Sequence, residues 1–121
     1  MLQFVGDINL TDWDFSFGFG IGSRIEQGFN PFSGVERDAM DLWIGNFEGV
    51  ASDVTNKTGM AAQVFRVAPE ALKNLPHFNI YGFANNHAMQ HGKEAYIQTV
   101  DALADLGCQM FGSNDRKTII I

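Results

Sequence analysis

The sequence predicts an α/β layered fold, and three observations carry that expectation. Short apolar runs of strand length recur along the 121 residues. One well-patterned helix near the C-terminal end is bracketed by two such runs. The polar residues that close three of the runs fall in the same orientation. Strand, helix, strand alternation favours a layered sheet over a β-sandwich or a helical bundle. An apolar content of 45% is ordinary for a globular chain forming one small domain or part of a larger one.

The elements follow in order. Leu2, Gln3, Phe4 and Val5 form a first buried strand, closed by Gly6 and Asp7 and continued irregularly through Ile8, Asn9 and Leu10. Between residues 12 and 22, Trp13, Phe15, Phe17, Phe19 and Ile21 alternate at period two, as in a half-buried strand. Gly18, Gly20, Gly22 and Gly28 argue instead for a flexible insertion, so ordinary packing or a mobile loop is expected over an aromatic binding face. Ser23 stands in the third-glycine place, and no strand-turn-helix context surrounds the series, so it is not a dinucleotide loop.

Asn30 and Pro31 offer a helix start, with Pro31 at the first helical position and the helix running to about Met40. Residues 41–48 return to a strand, and residues 49–59 are polar and turn-rich, a surface connection. Residues 64–67 read as a strand, Pro69 opens a helix through Leu75, and residues 78–84 form a buried strand. Residues 92–106 are the clearest helix, because Ile97, Val100, Leu103 and Ala104 recur at helical spacing and Gly107 supplies the C-cap. Residues 108–111 and 118–121 complete the alternation. The last run ends on Ile119, Ile120 and Ile121, in its most apolar stretch, so residues 1–121 read as the N-terminal part of a single longer domain.

The net charge is −6, and the eight basic residues are spread from Arg24 to Lys117 without a cluster. A nucleic-acid partner is excluded on that pattern, because phosphate backbones demand a basic face. Small anionic substrates suit such a surface only where a metal or local cations offset its field. Cys108 is the lone cysteine, which rules out an internal disulfide or a cysteine-rich zinc module and reads as a small buried hydrophobe. No apolar stretch approaches the roughly 20 residues of a membrane span, and Met1 runs into Leu2 without a basic n-region. A cytoplasmic location is the expectation for the chain as written.

Chemistry concentrates at the strand ends. Asp7 and Asn9 follow the first strand, Asn46 and Glu48 close the strand at 41–48, and Asn85, Asn86 and His87 follow residues 78–84. Residues two apart on extended backbone share a side, so Asp7 with Asn9, and Asn46 with Glu48, can each face one cavity. Two carboxylates, several amides and an imidazole at the carboxyl edge of a sheet suit a hard-metal hydrolytic site. Taken singly, each also reads as a turn former, a solvated carboxylate or a helix-entry residue.

His87 and His91 are four apart, as in zinc proteases, but Ala88 stands where the catalytic glutamate belongs and Gly92 interrupts a helix through both. His77, in a loop after Pro76, is read as incidental.

The order of these motifs resembles the CapA family of bacterial capsule and poly-γ-glutamate synthesis proteins. The resemblance rests on Phe4–Val5–Gly6–Asp7, then Asp41 through Gly45–Asn46–Phe47–Glu48, then Phe65–Arg66–Val67–Ala68–Pro69, then Ala84–Asn85–Asn86–His87 followed by Gly92 and a helix. It covers almost the whole chain, with residues 11–30 unplaced. That family is similar in fold to calcineurin-like metallophosphoesterases, a four-layer αββα sandwich with a two-metal centre, of which this chain would supply about the first half.

The resemblance implies two divalent ions, of unspecified identity, contacted by Asp7, Asn46, Glu48 and Asn86. It casts His87 as the catalytic group that protonates or steadies the departing oxygen, and Asn9, Asn85 and Gln90 as neighbours of that set. Asn46 replaces a bridging aspartate, and Gln90 stands where the family often has aspartate, so a carboxylate partner for His87 at that position is lost. The implied function is metal-dependent hydrolysis in the synthesis, release or anchoring of an anionic cell-surface polymer, with that polymer or a phosphoester as substrate. Partners would be other polymer-synthesis subunits at the membrane, where family members are often anchored or exported. The alternative is a non-catalytic accessory or scaffold protein of the same machinery.

Overall fold

The computed structural model describes residues 1–12 and 16–112. Its strands are β1 (Leu2–Ile8), β2 (Leu42–Phe47), β3 (Val50–Ala51), β4 (Arg66–Val67), β5 (Ile80–Gly82) and β6 (Gln109–Phe111). The helices are α1 (Ile21–Glu26) and α2 (Lys93–Asp105), with 3-10 turns at Gly59–Ala62 and Pro69–Asn74. Strands β1, β2, β5 and β6 form one sheet in that order, all parallel, and β3 pairs with β4 in a small parallel sheet of its own. The α/β expectation therefore holds.

The strand order has a structural consequence. Every step across the large sheet goes the same way, and right-handed crossovers then carry all connections over one face. On that face Trp43, Phe47, Phe78 and Tyr81 meet Ile25 of α1, Leu72 of the second 3-10 turn and Leu103 of α2 in one core. Phe32, Trp43 and Phe78 pack edge-to-face, with ring centroids 5.5 to 5.8 Å apart. The opposite face bears Leu2, Phe4 and Phe111, which are 51%, 73% and 37% exposed, and no layer covers it among the described residues.

Strand β1 is longer than the expected residues 2–5, because Gly6 and Asp7 continue it. A β-bulge makes this possible: Phe4 pairs with Ile44 but Asp7 pairs with Asn46, so β1 spends one residue more than β2. The extra residue reverses the side-chain alternation. Ile8 thereby turns into the core beside Phe47, and Asp7 turns to the side of Asn46.

Several other elements differ from expectation. The period-two aromatic pattern makes no strand among its described residues. Residues 17–20 are turns and Ile21 opens α1, while Trp13 and Phe15 lie outside the described residues. Asp12 organises this segment, accepting hydrogen bonds from the Gly18 N–H (2.8 Å), the Ser23 N–H (3.0 Å) and the Ser23 hydroxyl. Burial alone would raise its carboxyl, but these bonds and one from Gly20 outweigh it and hold the pKa below the ordinary value.

The helix expected over residues 30–40 is a series of turns. Asn30 Oδ1 accepts from the Phe32 N–H (2.8 Å) and Asp38 Oδ1 from the Met40 N–H (2.9 Å), local side-chain bonds that compete with helical ones. The surface connection at 49–59 begins as buried strand β3, paired with β4, since Val50, Ala51 and Ser52 are all buried. The strand expected at 64–67 contracts to β4, with Phe65 in a turn, and the helix from Pro69 is a 3-10 turn.

Helix α2 buries Ala95, Thr99 and Leu103; of the expected stripe Leu103 is buried and Val100 packs against the core, whereas Ala104 is exposed and Ile97 is 46% exposed. Thr99 lies within the buried face. Its hydroxyl donates to the Ala95 carbonyl (2.7 Å) and accepts from the Ala51 N–H (3.0 Å), tying the helix to β3 through a small polar residue. Gly107, at φ +78°, ends the helix as expected, with Gly107 N–H on Ala104 O (2.8 Å) and Cys108 N–H on Leu103 O (3.1 Å). Cys108 is buried, which pushes its thiol up to about 11. The run at 118–121 lies outside the described residues. None of the described helices is long and apolar enough to cross a membrane.

Candidate active site at the carboxyl edge of the sheet

Parallel strands bring their carboxyl ends to one edge, and β1, β2 and β5 place their closing polar residues there side by side. The bulge aims Asp7 at β2, where its Oδ1 accepts a 2.7 Å hydrogen bond from Asn46 Nδ2. Asn46 Oδ1 in turn accepts from Asn85 Nδ2 (3.3 Å), which also donates to the Phe47 carbonyl (2.7 Å). The other end of the Asn85 amide accepts from the backbone N–H of His87 (3.0 Å). A continuous hydrogen-bonded chain therefore runs from Asp7 on β1, through Asn46 on β2, to the turn that carries His87.

The imidazole of His87 is held on several sides. Nδ1 donates to Gln90 Oε1 at 2.6 Å, and Nε2 accepts from Asn86 Nδ2 at 2.9 Å. An acceptor at Nδ1 and a donor at Nε2 together select the Nδ1–H tautomer. Glu48 Oε1 lies 3.8 Å from Nε2, an ion-pair distance for a protonated ring. The Phe65 ring stacks on the imidazole, with centroids 3.5 Å apart and planes 14° from parallel.

Of the residues singled out in the sequence, Asp7, Asn46, Asn85, Asn86, His87, Glu48 and Gln90 are thus brought together. Asn9 is not joined to Asp7. Its Oδ1 closes a local turn by accepting from the Thr11 N–H (3.0 Å) and hydroxyl (2.7 Å). Gln90 gives His87 an amide oxygen in place of a carboxylate. Phe65 was missed by sequence reasoning, since nothing in a run of strand-like residues separates it from an ordinary core position.

His91 stands apart from His87. It is buried, Nε2 donates to the Val64 carbonyl (2.7 Å), and Nδ1 accepts from the Thr55 hydroxyl (2.7 Å). Burial is the main cause that lowers its pKa, with Arg66 and Lys57 adding to the effect against the Val64 hydrogen bond. His91 is thus a neutral structural cross-link.

The donor set suits an oxygen-loving divalent ion in kind. Asp7 keeps Oδ2 free of the Asn46 bond, and that bond orients the carboxylate as an outer-sphere amide does for a ligand. In number it falls short: among the described residues no three of His, Cys, Asp and Glu gather closely enough to hold an ion. Asn46 commits both ends of its amide to protein partners, and Glu48 is turned to His87. Beside Asn46, on the open sheet face, Phe4, Ile44 and Phe111 line a depression of about 290 Å³.

Comparison with known sequences adds one finding: the sequence model of the family described as bacterial capsule synthesis protein PGA_cap matches residues 1–118. No curated protein matches the chain.

Proposed function

Because the chain belongs to the bacterial capsule synthesis protein family PGA_cap, we propose that it serves the making, release or anchoring of an anionic capsular polymer of the poly-γ-glutamate type, as a metal-dependent hydrolase. The family lies in the metallophosphoesterase superfamily, and the parallel sheet with its covering helices matches part of that α/β fold. One observation carries the catalytic reading. The hydrogen-bonded chain from Asp7 through Asn46 and Asn85 to His87 joins three strand ends into one surface.

In this reading Asp7, through its free Oδ2, and Asn86 would hold divalent ions, joined by Asn46 and Glu48 only on giving up their present contacts with Asp7, Asn85 and His87. The ions would supply an activated water and charge for a developing oxyanion. The chain's own residues do the rest. Gln90 fixes the tautomer of His87, so that Nε2 faces the reacting group and exchanges a proton with it. Glu48, 3.8 Å away, steadies the ring whenever it carries that proton. Anionic substrate binding on a chain of net charge −6 is consistent with a need for bound cations. Polymer-synthesis subunits at the membrane are the proposed partners.

A second reading, an accessory or scaffold protein without turnover, is favoured by one feature: Asn46 places an N–H donor, rather than a carboxylate, against Asp7. Metal analysis with phosphoesterase and amide-hydrolase assays separates the two. On the hydrolase reading, metal is stoichiometric and lost in Asp7→Ala, and turnover is lost in His87→Ala. Folded protein with neither metal nor turnover would leave the scaffold.

A further inference from the structure

Phe65 is the one described residue other than glycine with positive φ, at +58°. The left-handed region suits Gly or Asn, and a bulky side chain there persists only where its surroundings over-determine it. They do so here. The carbonyl before the residue, Val64 O, is tied by His91 Nε2 (2.7 Å), and Phe65 O itself accepts from the Val50 N–H (2.8 Å). Gly49 permits that approach: at φ +131° it suits a residue without Cβ, and a Cβ there would lie 2.8 Å from Phe65 O. With both flanking peptide groups anchored, the strained backbone turns the ring onto His87, 3.5 Å away and nearly parallel.

We propose that Phe65 is a positioning residue for His87, its strained backbone setting the plane in which the imidazole presents Nε2. This rests on the hydrolase reading for its consequence in turnover, but not for its geometry. Hydrogen bonds at Nδ1 and Nε2 leave the ring free to pivot about the axis they define. A flat aromatic face at stacking distance removes that freedom, which neither Gln90 nor Asn86 can do. A residue serving only to fill space would not need the left-handed conformation, since the same volume is available to a relaxed strand residue.

Proton NMR of the full chain at pH 8.5, where free imidazole is neutral, tests the geometry without any assay. The His87 ring protons, assigned by their loss in His87→Gln, should lie upfield of those of exposed His77, through the ring current of Phe65. Phe65→Leu should abolish the displacement and Phe65→Tyr retain it. Phe65→Asn should keep the fold, as a residue at ease with positive φ, yet lose the displacement.

With p-nitrophenyl phosphate or poly-γ-glutamate as probe, Phe65→Leu should lower kcat by about tenfold to a hundredfold with KM little changed, as expected for a misplaced catalytic group. Phe65→Tyr should restore the rate. If Phe65→Leu does not fold, the wild-type and Phe65→Tyr spectra still decide. Unshifted His87 protons in the wild type, or a shift surviving in Phe65→Asn, would overturn the proposal. A shift present in protein without turnover on any probe would uphold the positioning and remove the hydrolase reading.

Discussion

Asn46 donates a 2.7 Å hydrogen bond to the carboxylate of Asp7 across two parallel strands, where a two-metal centre would place a second carboxylate. The pair is stable without an ion because donor meets acceptor. Asn46→Asp would set two like charges against each other and should cost about 1 kcal/mol without metal, the scale of one hydrogen bond. Added Mn²⁺ or Mg²⁺ should recover that loss and more in Asn46→Asp, with a smaller response in the wild type. Thermal unfolding with and without the ion reads the difference; equal responses would contradict an ion site at Asp7.

Gly49→Ala tests the support behind His87. The variant combines a left-handed backbone with a Cβ 2.8 Å from the Phe65 carbonyl, an atom with no room to give. Strain of this kind costs roughly 1–3 kcal/mol. Urea denaturation should show a loss in that range, whereas Gly34→Ala, with open space around its Cβ and no positive φ, should be nearly neutral.

Thr99→Val isolates the tie between α2 and β3. The Val50 N–H donates to the Phe65 carbonyl and the Ser52 N–H to the Val67 carbonyl of β4, but the Ala51 N–H points the other way and is satisfied by the Thr99 hydroxyl. Valine keeps the volume and removes the acceptor, leaving a buried donor unpaired at a cost of about 1–3 kcal/mol. Chemical denaturation measures the loss, and amide exchange should localise it to Ala51.

Stability should depend on pH through His91. Burial depresses its pKa in the folded state, so between the folded and unfolded values the unfolded chain binds the extra proton. The contribution is therefore complete above the unfolded value of about 6.5 and is lost as pH falls through the folded one. Urea midpoints from pH 8 to 5 should decline on the acid side in the wild type. His91→Asn should be less stable at pH 8 but decline less, and parallel curves would count against the assignment.

The layered α/β class was legible because a parallel sheet is built from short apolar runs that survive in composition and spacing. So was most of the site, since polar residues directly after such runs emerge at one edge when the strands are parallel. What escaped the sequence is what tertiary contacts decide. The register of β1 depends on where β2 pairs, not on any residue at Val5 or Gly6. The helix expected after Pro31 lost to local bonds from Asn30 and Asp38. Phe65 became part of the site only through Gly49, Val50 and His91, which are close in space and distant in sequence.

The extra residue in β1 also means that two demands on one strand are met independently. Ironing out the bulge with Gly6 in place would invert the address of both side chains, Asp7 turning toward the greasy interior and Ile8 toward water. Deleting Gly6 would instead take out that extra residue and leave Asp7 opposite Asn46 on an unbroken strand. A homologous chain one residue shorter at this point would keep its acid at the same rim with no bulge at all.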